Sequence, residues 1–530
     1  MRVVVIGDIS WRTQYHLGDE AMTEVAIQEL RKRGITDIRL IAGDPTVAEK
    51  FYGLPAVPRN GFHGTWSRDQ LDRAMEASTD ALTQPVDTAR GYELRALIKQ
   101  ADAVVIAGGG NMNSVHVHHL YERAAVTRTA RHYGKPLFVT SQTVGPRLRP
   151  RDIPYVQEIL GYATCFGARD AQTYQLLLEL GGDQDRVVLG HDDALLLSPL
   201  PQDEAFADAI AGERAFAIGS FASKADPWEN VEVAEHLAST LDELVARFDL
   251  DVLLVPHVGS LDRSVLGSDQ VLNGLIAERS ETGRLRSMPM LTARQAIALT
   301  ARAAVSLSTR YHPTVFSPMV GTPAVGLAGD LYTSSRMVGA LAPFGLDDFC
   351  VTEPSWEMGV LPEVVASALE PRVRQHVATT APIVRREQEV WWDHIVEAIR
   401  GVWTPPSAPT FASRLEGGSW SLGVIATRLM TERLGRMKSE HCDEVDALTR
   451  SLESAETQLE RARKDLAVAR EEVARQEEIS TALSTQVDSL QEQRAALEAS
   501  LTAARNRKAA RAADAVARAV HLLPRPRRNA

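Results

Sequence analysis

Ala103-Val104-Val105-Ile106-Ala107-Gly108-Gly109-Gly110-Asn111 is the stretch on which the fold turns. Five apolar residues follow one another without polar alternation, as in a strand buried on both faces of a parallel sheet, and glycines stand where its carboxyl end should open. The same rhythm fills the first 200 residues: a short apolar run closes on Gly or Asp, and a helical stretch follows. Candidate strands are 2–6, 38–42, 103–107, 136–140 and 186–189, with helices over 19–33, 121–133 and 170–180. Around 198–204 the composition turns to Pro, Gln and Asp, and a second set begins. Its strands are expected at 215–218, 251–256, 304–308 and 324–327, and its helices at 230–247, 292–301 and 314–320. This predicts an α/β protein of two Rossmann-like, doubly wound domains, 1–200 and 201–403, facing a cleft, because such sheets bind ligands at the carboxyl ends of their strands. A helix over 384–402 closes the second domain, with Trp391, Ile395, Ile399 and Trp403 at four-residue intervals.

Downstream, Thr404-Pro405-Pro406-Ser407-Ala408-Pro409 reads as a linker, assigned to 404–440. A heptad then runs from Val445. Seven of nine a positions and seven of eight d positions are apolar, which predicts a C-terminal α-helical coiled coil over 441–508 and, through it, self-association or a partner protein. Residues 509–530 form a basic tail, which admits two readings: contact with an anionic membrane surface, or a solvated end.

At 530 residues the chain has room for several cores. A net charge of −11 argues against a nucleic-acid partner, since phosphate binding draws on clustered Lys and Arg. Three cysteines, none in a CxxC pair, support neither a disulfide framework nor a cysteine zinc site. With no signal-type N-terminus and no apolar run of about 18 residues, a cytoplasmic protein is expected, with the inner face of the plasma membrane as the place where a basic tail would act.

Four motifs carry chemistry. Leu17-Gly18-Asp19-Glu20-Ala21 opens a helix with Asp19 placed to cap it, and free N–H groups at such a start suit an anion. Gly108-Gly109-Gly110-Asn111 brings backbone close to a ligand, and Ser141-Gln142-Thr143-Val144-Gly145-Pro146 ends the next strand of the layer. In Ser308-Thr309-Arg310-Tyr311-His312-Pro313, Arg310 suits a phosphate or carboxylate and His312 proton exchange, against the plainer reading of His312 as a helix cap. The glycines around Gly7 do not spell GxGxxG, so no dinucleotide site is expected. His116, His118 and His119 are read as lining an anion cleft rather than holding a metal, since adjacent histidines do not readily share one ion.

In combination and in this order, Gly18-Asp19-Glu20-Ala21, Gly108-Gly109-Gly110, Ser141 to Pro146, Arg169-Asp170, Ser308 to His312 and Gly321-Thr322-Pro323-Ala324 resemble the polysaccharide pyruvyltransferases, over roughly residues 1–400. The resemblance implies a GT-B-like pairing of halves and transfer of a pyruvyl group from phosphoenolpyruvate to a sugar diol of a cell-surface glycan or lipid-linked precursor, forming a ketal. It implies no cofactor beyond that donor and no metal. His312, Arg310 and Asp19 take the catalytic roles, with His312 as general acid. Gly18, Gly108, Gly109, Gly110, Asn111, Ser141, Gln142, Arg169 and Arg336 bind substrate. Two positions depart from the family's pattern: Tyr311 stands where a small apolar residue is usual, and Tyr332 is followed by Arg336 rather than Lys. Both bear on acceptor choice. Two rivals stand beside this reading. A GT-B glycosyltransferase using a nucleotide sugar would need a Glu near the last strand, where only Asp330 is apparent. A catalytically inactive scaffold would act through its coiled coil.

Overall fold

Continuous apolar runs become strands because their side chains meet helices on both faces. In the computed structural model, which describes residues 1–11, 14–85, 91–224, 227–472 and 477–522, the first half holds β1 (Arg2–Ile6), β2 (Tyr15–His16), β3 (Asp37–Ala42), β4 (Ala56–Pro58), β5 (Ala103–Ile106), β6 (Gly109–Met112), β7 (Leu137–Val144), β8 (Cys165–Ala168) and β9 (Val187–Leu189). The second half holds β10 (Phe216–Ser220), β11 (Asp251–Leu254), β12 (Val258–Gly259), β13 (Leu285–Ser287), β14 (Val305–Ser308), β15 (Ala324–Ala328) and β16 (Cys350–Thr352).

The first sheet runs β4-β3-β1-β5-β7-β8-β9, with β6 paired to β7, and the second runs β13-β11-β10-β14-β15-β16. Every pair in both sheets is parallel, while β2 and β12 form a short antiparallel pair between the halves. Val4, with Arg39 on one side and Val104 on the other, is fully buried. Each such side chain contributes about 1.5–3 kcal/mol of burial. Strand order reverses between β1 and β5 in one sheet and between β10 and β14 in the other, and at such switch points the loops diverge and leave a crevice. Asp8 and Gly108 follow β1 and β5; Phe221 and Thr309 follow β10 and β14.

The expected strands are present, and the differences lie at edges and ends. β7 continues to Val144, four residues beyond its predicted end, so Ser141 and Gln142 sit inside a fully buried strand rather than in a loop. β6 turns the glycine triplet into extended backbone. The first helix is Leu17–Lys32, with His16 at the N-cap making no side-chain cap bond, so Asp19 is a first-turn residue and not the cap. The closing helix is longer than predicted, Pro371–Ile399, and carries Trp391, Trp392, Ile395 and Ile399 into the core. Trp403 lies beyond its end and meets Trp391 edge-on at 6.2 Å.

Residues 1–428 form one compact unit and 429–530 another. The linker assigned to 404–440 is corrected on two counts. The proline-rich part is tied down through Trp403 Nε1–H to Asp185 O (2.9 Å), Thr410 N–H to Glu387 Oε1 (2.7 Å) and Ala412 N–H to Pro343 O (3.1 Å). The helix Ser421–Glu472 then begins inside the assigned span, because no proline follows Pro409 to stop it. A second long helix covers Glu477–Leu522, so residues 509–522 of the expected tail are helical, and 523–530 lie outside the described residues. Heptad positions Val473 and Gln476 also lie outside them. In the second unit Ala455, Leu459, Val487 and Ala504 are buried, all on the a/d seam, and Lys508 Nζ lies 3.1 Å from Glu444 Oε2. This ion pair brings the two helices of one chain side by side. Among the described residues no helix is long and apolar enough to cross a membrane.

Candidate functional site

A cavity of about 350 Å³ opens between the switch points of the two sheets. From the first half, Asp8 follows β1, and its carboxylate is buried against Arg59 Nη1 (2.8 Å) and His119 Nδ1 (3.1 Å), with Asn111 Nδ2 and Trp11 Nε1 also donating to it. Burial alone would raise its pKa; His119, Arg59 and Arg123 outweigh that and hold the carboxyl well below the usual range. Burial pushes His119 the other way, far below the ordinary imidazole value. His118 stacks on His119 at 3.9 Å, and His116 borders the cavity. Across the floor His16 Nδ1 stands 3.8 Å from Asp19 Oδ2. Burial opposes protonation of His16, but the carboxylate beside it prevails and lifts its pKa above the ordinary 6.5.

The second half supplies His312 and Arg310 from the loop after β14. His312 occupies the N-cap of Pro313–Met319 yet makes no side-chain cap bond, so the capping reading fails. Its ring is 9% exposed, stands edge-on to Tyr311 (5.0 Å), and leaves Nε2 buried with no hydrogen-bond partner among the described residues. Burial, then the charges of Arg169 and Arg336, hold its pKa well below 6.5, so the ring is neutral near pH 7. A methyl group at position 18 would overlap this ring, and Gly18 is glycine for that reason. Arg310 borders the cavity but its fork is engaged: Nε lies 3.0 Å from Asp269 Oδ2, and Nη2 meets Oδ1. Asp269 is fully buried and also accepts from the His257 and Val258 amides at 3.1 and 3.0 Å.

Tyr311 is the centre of the arrangement. Two guanidinium groups lie over its ring, Arg169 at 4.3 Å and Arg336 at 4.6 Å. Arg336 Nη1–H donates to Tyr332 Oη (2.7 Å), whose hydroxyl donates to Gly110 O (2.8 Å). Arg169 donates to Thr143 Oγ1 and Asp192 Oδ2, both at 2.7 Å. What remains is Arg169 Nη2 and Arg336 Nε, buried without partners among the described residues. Both guanidiniums crowd the face of Gly110, where a Cβ would collide with each. Two cations held this close repel, and the aromatic face and Asp192 offset part of the cost.

Of the residues singled out in the sequence, the cavity wall contains Gly18, Asp19, Gly110, Asn111, Arg310, His312 and Arg336. Arg169 reaches it from behind Gly110. Gly108 and Gly109 pack instead against Met22, Ser141 and Gln142. Ser141 Oγ accepts from Gln388 Nε2 (3.0 Å) and Gln142 Nε2 bonds to Ala107 O, so both hold the fold, as the length of β7 requires. Sequence reading missed Asp8, His16, Arg59 and Asp269. Asp8 was legible as the polar end of the first strand and His16 as a neighbour of Gly18; Asp269 had no local signal.

The family model for polysaccharide pyruvyl transferase matches residues 16–330, more than half of the chain. The chain belongs to that family. Arg336 stands just outside the matched span. The search of curated proteins finds no match. Among solved structures, the S. aureus protein MnaA in complex with UDP is similar in fold at 10% identity and a TM-score of 0.50, over 77% of this chain and 100% of that one. The UDP-GlcNAc 2-epimerase of Neisseria meningitidis bound to UDP-GlcNAc (12% identity, TM-score 0.49) and HepE of Anabaena with UDP (13%, 0.48) each match over 76% of this chain and 100% of their own. The likeness to MnaA bears on the fold: the pyruvyl transferase family member described here is built on a parallel-sheet α/β, GT-B-like frame.

Proposed function

We propose that the cleft moves the pyruvyl group of phosphoenolpyruvate onto two hydroxyls of one sugar, as a ketal. The observation that carries this is a set of buried nitrogens without partners among the described residues: Arg336 Nε and His312 Nε2 on residues of the cavity wall, and Arg169 Nη2 beside Gly110 of that wall. They suit a small, highly charged donor bearing phosphate and carboxylate on adjacent atoms. In the reaction the enol methylene takes a proton and C2 becomes cationic. One sugar hydroxyl adds to C2, and the C2–O bond to phosphate breaks with its electron pair leaving as inorganic phosphate. The second hydroxyl then adds and closes the ring. Two hydroxyl protons are released, one balancing the proton given to the methylene and one ending on phosphate.

Charge state distributes the roles. His312, expected as the general acid, is neutral in the unliganded cleft and suits the acceptance of a hydroxyl proton; His16, whose pKa Asp19 raises above the ordinary value, suits its delivery. Asp8 keeps His119 and Asn111 in place on the opposite wall. Arg310 acts as a positioning residue through Asp269.

The test is the thermal midpoint of the full chain with phosphoenolpyruvate, UDP-sugars or GDP-sugars. A ligand at 100 times its Kd adds about 2.7 kcal/mol to the folded state. A rise with phosphoenolpyruvate, lost in Arg336→Ala and reduced in His312→Gln, is the expected result. A rise with a nucleotide sugar alone would reassign the donor and the reaction.

A further inference from the structure

A second cavity, also about 350 Å³, lies at the carboxyl end of the second sheet and shares Ala222, Thr309 and Thr333 with the first. Its floor is apolar, from Phe221 after β10, Leu327 in β15 and Leu237 on the helix Pro227–Phe248. Its rim is polar: Asp330 follows β15, Glu353 and Trp356 follow β16, and Lys224 stands at the edge. Trp356 is fixed, with Nε1–H donating to Thr240 Oγ1 (3.1 Å) and the ring against His236 at 4.4 Å. Glu353 makes no hydrogen bond among the described residues. Gly329 lies beside it: a Cβ there would make an ordinary 3.7 Å contact with Glu353 Oε2. Asp330 spends Oδ1 on Thr333 N (2.8 Å) and Thr333 Oγ1 (2.6 Å), and Oδ2 is unused among the described residues.

We propose that this second cavity is a glycan subsite, seating a glycosyl unit of the acceptor next to the one whose hydroxyls react. An immobilised indole offers its face to the C–H groups of a pyranose at little cost in conformational entropy. Two carboxylates accept hydroxyl protons and repel phosphate, so a neutral polyol fits where a nucleoside diphosphate does not. The volume holds one hexose with its hydration, at the lower end of ordinary ligand pockets. Because the two cavities share a wall, one bound oligosaccharide spans both, with its reacting diol beside the Arg169–Tyr311–Arg336 stack. In describing the occupant as acceptor, the inference rests on the pyruvyl-transfer reading; as a sugar site it does not.

Saturation-transfer NMR on the full chain tests this, with glucose, N-acetylglucosamine, cellobiose, lactose, N,N′-diacetylchitobiose and UDP as probes. Each is measured on the wild type, Glu353→Gln and Trp356→Ala, with the midpoint shift from phosphoenolpyruvate run alongside. The expected result is that at least one disaccharide gives a signal that falls threefold or more in both variants, while the phosphoenolpyruvate shift equals that of the wild type. Glu353 is exposed, so Glu353→Gln decides the matter if Trp356→Ala does not fold. A sugar signal unchanged by Glu353→Gln, no sugar signal at all, or a variant-sensitive signal from UDP alone overturns the subsite. A variant-sensitive sugar signal with no phosphoenolpyruvate shift in the wild type sinks the donor assignment and leaves a sugar site standing.

Discussion

Asp193→Asn should stabilise the protein at neutral pH and leave it unchanged in mild acid. Asp193 is fully buried behind Gly108, and its Oδ1 accepts from Gln388 Nε2 and Trp392 Nε1, both at 2.8 Å, which ties the closing helix to the first half. Its Oδ2 has no partner among the described residues. Burial, reinforced by the charge of Asp192, pushes the carboxyl from 3.8 up to about 6 although Gln388 and Trp392 favour the anion. For a carboxyl raised on folding, the native state holds its proton more tightly than the unfolded chain does. Its contribution is greatest below pH 3.8, falls between pH 3.8 and 6, and is fully lost above. At 1.36 kcal/mol per pH unit, the loss reaches about 3 kcal/mol. An asparagine keeps the acceptor oxygen for both donors and cannot ionise, so the difference in unfolding free energy between variant and wild type should rise from near zero at pH 4 to about 3 kcal/mol at pH 7 and then level off. Glu20, also pushed up by burial, to about 7, is common to both proteins and cancels in the difference. Urea denaturation of both proteins at half-unit steps from pH 4 to 8 measures it. A difference that stays flat across this range would refute the reasoning, because the proton on Asp193 is its only source.

Three further outcomes are expected. Gly18→Ala places a methyl group inside the His312 ring and moves the ring by roughly 1 Å or more, which should cut turnover by about 100-fold and cost about 1–3 kcal/mol of stability from overpacking; phosphate release and the midpoint check the two parts. Tyr311→Phe keeps an aromatic face against the guanidiniums and should retain phosphoenolpyruvate binding, whereas Tyr311→Leu loses contacts worth about 1–2 kcal/mol and should weaken it by roughly fivefold to thirtyfold by calorimetry. Because burial and the charges of Arg169 and Arg336 depress His312, an anion that offsets those charges raises its pKa. Binding should therefore take up a fraction of a proton that grows as pH falls from 8 to 6, while the ring stays mostly neutral near pH 7 and keeps its place for a hydroxyl proton; calorimetry in buffers of different ionisation heat reads the uptake, and His312→Gln should abolish its share.

The likeness between sequence and structure is greatest where burial is symmetric. Val4, Val105 and Val252 stand in unbroken apolar runs because parallel strands covered on both faces have no polar side to show, and the order of such runs was enough to predict two doubly wound halves. Gly18, Gly110, Arg310, His312 and Arg336 were legible for a related reason: each follows or abuts the carboxyl end of a strand, where the architecture places ligands. What those residues do was decided in three dimensions. Ser141 and Gln142 looked like loop residues, but β7 runs past them. Arg310 looked free until Asp269, 41 residues earlier, appeared against it. Tyr311 read as a departure that set acceptor choice, yet its ring carries two arginines that come from opposite halves of the chain. No local pattern encodes a contact between side chains so far apart in sequence. Strand order and the angle at which two sheets meet determine it, and these depend on the packing of the whole core.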